Sequence, residues 1–193
     1  MHPILLKIGY IKVYSYGLMV AIGFLLATFL SERDAKRQNI PPNLIMDISI
    51  IIVLFGLLGA RIFYAVSNLK YYLDNPKEIF MLTHGGLIFY GGALFSLLAA
   101  YVFLRIKKIS FLKMADILMP YIVLAHSIGR IGCFLNGCCW GKPTSLWWKV
   151  IYPGTAIAVH PTQIYESILL LGLFVFLKTL KISQYFIKNS III

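Results

Sequence analysis

The sequence predicts an all-α, polytopic transmembrane bundle of about five spans, and three observations predict it. Hydrophobic residues make up 60% of the 193 and charged residues only 13%, with a mean hydropathy of +0.82, which leaves too little polar surface to cover a water-soluble globule. Five apolar runs each approach the ~20 residues a helix needs to cross the hydrocarbon. Between them lie short segments in which Lys and Arg concentrate. With no linker, low-complexity tract or internal repeat, residues 1–193 read as one transmembrane domain.

The first run covers 13–31 and stops at Glu32-Arg-Asp-Ala-Lys-Arg37 and the Pro41-Pro42 pair. No small-residue cleavage site follows it, and the basic cluster comes after the apolar core, so an uncleaved span is expected and not a signal peptide. A second run covers 44–66, and Asn68 to Thr83, with Asp74, Pro76, Lys77 and Glu78, reads as a surface loop. The third, 86–104, opens at His84-Gly-Gly and ends at Arg105-Ile-Lys-Lys108. The fourth runs from 115 to 135 into a glycine-rich stretch, and the fifth, 161–177, ends before Lys178.

A formal charge of +11 could signal a nucleic-acid partner, but the placement of the cations argues otherwise. The loop 32–43, the loop 105–114 and the tail 178–193 hold ten Lys and Arg; the opposite side holds six, and Arg61 and Arg130 fall inside spans. Cytoplasmic loops carry the excess of basic residues. The N-terminus is therefore expected outside and the C-terminus in the cytoplasm, with no nucleic acid needed. In that orientation His84-Gly-Gly, Arg130 and His160-Pro-Thr-Gln all fall toward the outer leaflet.

The stretch His126 to Gly141 carries the densest chemistry: a fixed cation, three thiols, an amide and glycines at 129, 132, 137 and 141. Polar groups inside a span are costly and usually functional. It reads as a helix end broken open around an anion, with Arg130 offering a planar fork of donors suited to phosphate and free backbone N–H groups adding to it. The bland alternative is an arginine snorkelling to the headgroups. Arg61, in Gly56-Leu-Leu-Gly-Ala-Arg61, either contacts ligand or pairs with a carboxylate such as Glu166, and Gly56 with Ala60 has the small-xxx-small spacing of close helix packing.

Cys133, Cys138 and Cys139 with His126 or His160 could supply four metal ligands, but Cys-x4-Cys-Cys is not a recurrent zinc spacing. Packing thiols are expected, with no metal and no cofactor; in an oxidising compartment Cys133 could bridge to one of the other two. His160-Pro-Thr-Gln-Ile-Tyr-Glu166 reads as a helix start, its proline at the first helical position and its N-terminus favouring an anion. Gln163 and Glu166 share a face; Glu166 is either a functional carboxylate or half of an ion pair. Tyr90 lies between two Gly-Gly pairs, either as a headgroup or proton-transfer phenol or as an interfacial tyrosine. Tyr16-Gly17 is a weaker candidate of the same kind.

Taken in order, Tyr16-Gly17, Gly-Ala-Arg61, Gly-Gly-Leu-Ile-Phe-Tyr-Gly-Gly92, Gly-Arg-Ile-Gly-Cys-Phe-Leu-Asn-Gly-Cys-Cys-Trp-Gly141 and His-Pro-Thr-Gln-Ile-Tyr-Glu166 resemble the prolipoprotein diacylglyceryl transferase family. The resemblance implies a bacterial inner-membrane enzyme of lipoprotein biosynthesis. Its reaction moves the diacylglyceryl group of phosphatidylglycerol to the lipobox cysteine of a prolipoprotein signal-peptide segment, releasing glycerol phosphate. The family's lipid-binding arginine maps onto Arg130. The substrate-binding candidates are then Arg130, Arg61, Asn136, Gly141, Tyr16 and Gln163, and the catalytic candidates Tyr90, His160 and Glu166. Three departures stand out: Tyr90 occupies a position where many members carry histidine, Cys133 one that is often asparagine, and the chain has five spans where the resemblance implies seven. It therefore reads as C-terminally shortened, and the alternative function is an inactive lipid-binding remnant or paralogue.

Overall fold

The structure is a computed structural model and describes residues 3–8, 11–80 and 86–190. A hairpin of β1 (Ile4–Ile8) and β2 (Ile11–Tyr14) leads into α1 (Ser15–Arg37), with Ser15 N–H donating to Pro3 O at 3.0 Å. There follow α2 (Pro42–Ser67), the short α3 (Leu69–Asp74), a 3-10 turn (Pro76–Phe80), α4 (Phe89–Ile106) and α5 (Phe111–Asn136). A two-strand pair, β3 (Val150–Ile151) and β4 (Ala158–Val159), precedes α6 (Thr162–Ser190). Five of these helices are long and apolar enough to cross a membrane. The protein is a multi-pass, all-α membrane protein.

Helices α1 and α6 run well past the C-terminal ends of their apolar runs. The first apolar run ends at 31, yet α1 continues through Glu32-Arg-Asp-Ala-Lys-Arg37 because most of these residues are good helix formers in a polar setting. It stops where Asn39 takes φ 55 and two bonds close the end, Asn39 N–H to Lys36 O and Ile40 N–H to Ala35 O. This is a Schellman cap. Lys108, at φ 56, closes α4 with the same pair of bonds. The last helix likewise runs past residue 177 to Ser190.

The chain divides into two compact units, Met1–Ser31 with Asp116–Ile193, and Glu32–Ala115. Within the second, α2 and α4 meet backbone to backbone. A side chain at Gly92 would lie 2.9 Å from Gly56 O, and one at Gly91 2.6 Å from Gly59 O, so only glycine permits the approach. Ser96 Oγ donates to Ile52 O at 2.9 Å across the same face.

Within the first unit, a side chain at Gly23 would begin 3.0 Å from Ala125 O, and one at Gly132 3.0 Å from Met19 Cβ, so these glycines let α1 seat closely on α5. Between α5 and α6, Ser127 and Ser167 each donate to the other's carbonyl, at 2.8 and 3.0 Å. Nearer the far ends of the same helices, Lys178 Nζ donates to Tyr121 Oη at 2.7 Å.

Candidate functional site

The helix is not opened around Arg130. α5 runs unbroken through Gly129 and Gly132 to Asn136, so the backbone N–H groups near Arg130 serve the helix and the expectation that they are free for an anion is corrected. Gly132 is there because Tyr16 and Met19 of α1 press on it, Tyr16 Cα lying 3.3 Å from where a side chain would begin. The break comes one residue after Asn136. Gly137 at φ 74 donates to Phe134 O, and Cys138 N–H donates to Cys133 O at 3.2 Å, a third Schellman cap.

Arg130 itself is mostly buried, its side chain 15% exposed, and its Nε lies 2.6 Å from Glu166 Oε2 of α6. The N–H is not aimed along that line, so the contact is an ion pair and not a hydrogen bond. The guanidinium's outer nitrogen Nη1 faces Cys133 Sγ at 4.0 Å, a weak acceptor. Most of the donor fork is thus left without an oxygen partner among the described residues. A low-dielectric setting makes that fork attractive to an incoming phosphate.

The loop after α5 is tied back onto the start of α6. Gly141 N–H donates to His160 O at 3.0 Å, His160 N–H to Lys142 O at 3.1 Å, and Thr162 Oγ1 to Cys139 O at 3.0 Å. A side chain at Gly141 would meet Thr162 Cγ2 at 2.6 Å. Gln163 is fully buried; its amide nitrogen donates to Cys138 O while its oxygen accepts from Tyr152 Oη at 3.2 Å. Tyr152 stacks on Trp140 with centroids 5.1 Å apart, and burial pushes its phenol above the ordinary value against a hydrogen bond that pulls it down.

On the same stretch, His160 Nδ1 lies 3.1 Å from Tyr165 Oη, which also accepts from Trp148 Nε1 at 2.5 Å. The imidazole is held by a phenol that is itself held by an indole. Neither Tyr165 nor Trp148 stood out in the sequence. Tyr165 belongs to the His-Pro-Thr-Gln-Ile-Tyr-Glu motif and was there to be found five residues past His160, whereas Trp148 sits in a loop that carries no periodicity.

The first unit therefore holds Arg130, Glu166, His160, Gln163, Gly141, Asn136 and Tyr16, the last two half-buried at the end of α5 and 46% exposed at the start of α1. Arg61 and Tyr90 belong to the other unit. Arg61 is 5% exposed and donates to three carbonyls, Ile79 O at 2.8 Å, Glu78 O at 2.6 Å and Gly86 O at 3.1 Å, with Tyr64 and Tyr72 against its guanidinium. The suggestion that Glu166 might be its partner is corrected, since that carboxylate sits on Arg130. Tyr90 is 79% exposed in the first turn of α4 beside Phe89. His84 and Gly85 lie outside the described residues.

Comparison with known proteins supplies the family. The family model described as prolipoprotein diacylglyceryl transferase matches residues 3–192. The chain belongs to the prolipoprotein diacylglyceryl transferase family. A phosphatidylglycerol–prolipoprotein diacylglyceryl transferase of Clostridioides difficile is 41% identical over 167 residues, covering 86% of this chain and 66% of the relative. The protein of that name from Trichormus variabilis is 36% identical over 186 residues, 92% of this chain and 66% of the relative, and that from Fusobacterium nucleatum 33% identical over 218 residues, 91% and 76%. The chain spans about two thirds of the length of the first two of these transferases. Within the transferase match lie both the Arg130–Glu166 pair and the His160–Tyr165 pair.

Proposed function

We propose that this chain binds phosphatidylglycerol and transfers its diacylglyceryl group to the lipobox cysteine thiol of a prolipoprotein, the first step of bacterial lipoprotein maturation. The observation that carries the reading is Arg130, a mostly buried cation whose partners among the described residues are one carboxylate and weakly accepting cysteine sulfurs. The relatives' printed name supplies the reaction.

In that reaction the thiol loses its proton to a base and the thiolate attacks the glycerol carbon bonded to the phosphate oxygen. A C–S bond forms, the C–O bond breaks, and its electron pair leaves with glycerol phosphate. The negative charge gathers on the leaving phosphate, so donors aimed there stabilise the transition state. Arg130 fills this role, with Glu166 orienting the guanidinium from its inner edge. His160 is our choice of base, because Glu166 is engaged on Arg130 whereas the imidazole is oriented by Tyr165 and Trp148. Asn136 and Tyr16 frame the lipid side, and Gly141 and Gln163 hold the loop after α5 in place beside it.

The excess of basic residues in 32–43, 105–114 and 178–193 supports an orientation with the N-terminus outside, the C-terminus cytoplasmic and the Arg130 end of α5 toward the outer leaflet of the bacterial inner membrane.

The test is complementation of a transferase-depleted bacterium with this chain and with Arg130→Ala, following a reporter prolipoprotein for the mass of one added diacylglyceryl group. Lipidation by the parent and not by the variant supports the reading. If neither lipidates while both stand in the membrane, the transferase reading fails and the lipid-binding one replaces it.

A further inference from the structure

We propose that Cys133, Cys138 and Cys139 form a three-sulfur site for a soft, thiophilic metal ion of the zinc or cuprous class. Their Sγ atoms all lie within 4.8 Å of one another, and the three are free thiols. Zinc–sulfur bonds are about 2.3 Å, which sets tetrahedral sulfur separations near ~3.8 Å. Small side-chain adjustments, on the order of half an ångström per sulfur, would close the set around one ion.

Helix capping explains part of this cluster but not all of it. In a Schellman cap the residue three places inside the helix end and the residue just past the turn commonly touch. Those residues are Cys133 and Cys138 here, so their contact follows from the chain reversal at Gly137. Cys139 does not follow. It is a non-glycine residue held at φ 63, a backbone region that side chains avoid, and that conformation coexists with its sulfur beside the other two.

The strand of chain carrying the second and third thiols is clamped from outside. Gln163 donates to Cys138 O and Thr162 to Cys139 O, both from the first turn of α6. Ligands held by a second layer of hydrogen bonds lose little freedom on binding. Access is graded as well, Cys133 being buried, Cys138 half-buried and Cys139 exposed. An ion entering from solvent would meet Cys139 first.

Loading balances as one divalent ion plus three thiols giving one tri-thiolate complex and three protons, with the fourth coordination position open. The complex carries a net negative charge. Soft sulfur donors favour zinc or cuprous ions over magnesium or calcium. The site stands independently of the transferase reading, since its test reads metal and not turnover.

The test uses the full chain purified in detergent, reduced and stripped of metal, and titrated with Co²⁺. Expected are sulfur-to-cobalt charge-transfer absorption saturating at one ion per chain, its displacement by Zn²⁺, and affinity lost by about tenfold or more in each of Cys133→Ser, Cys138→Ser and Cys139→Ser. Circular dichroism of each variant shows that the helices remain. The proposal is overturned by a missing charge-transfer band in the reduced parent. It is equally overturned if any one of the three folded variants binds as the parent does.

Discussion

Arg130 Nε and Glu166 Oε2 lie 2.6 Å apart, joining α5 to α6 across 36 residues of sequence. The pairing neutralises a mostly buried cation while leaving its outer nitrogens for a ligand. It also makes the two residues one unit, so their substitutions should not add. Arg130→Ala is expected to lower diacylglyceryl transfer by on the order of 10²–10³-fold, the usual loss for one transition-state donor. Glu166→Gln should cost less, and the double variant no more than Arg130→Ala alone. Transfer rates of the four proteins check this, and fully additive losses would refute the coupling.

Arg61 should behave as a structural residue. Replacing it with Ala strands the carbonyls of residues 78, 79 and 86, and the expected loss is about 2–4 kcal/mol of stability. Arg61→Lys should not restore it, because a point-like ammonium cannot reach three acceptors set around a planar fork. Thermal unfolding in detergent reads both. A variant of unchanged stability with lost lipid binding would instead make Arg61 a ligand contact.

The α2–α4 seam gives a prediction about glycine. Gly92→Leu must push against Gly56 O, 2.9 Å from its first carbon, and is expected to cost about 1–3 kcal/mol. Gly172→Ala meets nothing within 4 Å in mid-helix and should be neutral or gain up to ~1 kcal/mol. Equal unfolding temperatures for the two variants would contradict the close approach.

Tyr152 should make the fold sensitive to alkali. Burial raises its phenol above the ordinary 10.0, so below that value both native and unfolded chains carry the proton and stability is unaffected. Above 10.0 the unfolded chain releases the proton first, and stability falls as pH rises toward the native value. Tyr152→Phe should lack this contribution. Unfolding midpoints of the two proteins between about pH 9 and 11 provide the measurement, and parallel curves would refute it.

Much of the architecture was legible because membranes enforce simple rules. Each of the five apolar runs lies in a helix long and apolar enough to cross a membrane, as expected where hydrocarbon leaves the backbone no other hydrogen-bond partner. Arg130 and Glu166 were visible as charges in apolar surroundings, yet the pairing was not, because nothing local says which of two intramembrane arginines a carboxylate will meet. The glycines misled for a related reason. Gly129 and Gly132 read as a broken helix, whereas Gly132 makes room for α1, a neighbour more than a hundred residues earlier. Lys108 at φ 56 and Trp148 on Tyr165 carried no signal at all, being a rare backbone state and a loop contact that tertiary packing imposes.

Arg61 has a dynamic consequence. Releasing the backbone at 78–79 or at 86 from it would take acceptors away from a buried full positive charge, which costs more than breaking ordinary loop hydrogen bonds. These segments therefore do not fluctuate like surface chain. Their amide protons should exchange with solvent on the slow timescale of the α2–α4 pair itself, as part of one cooperative unfolding block.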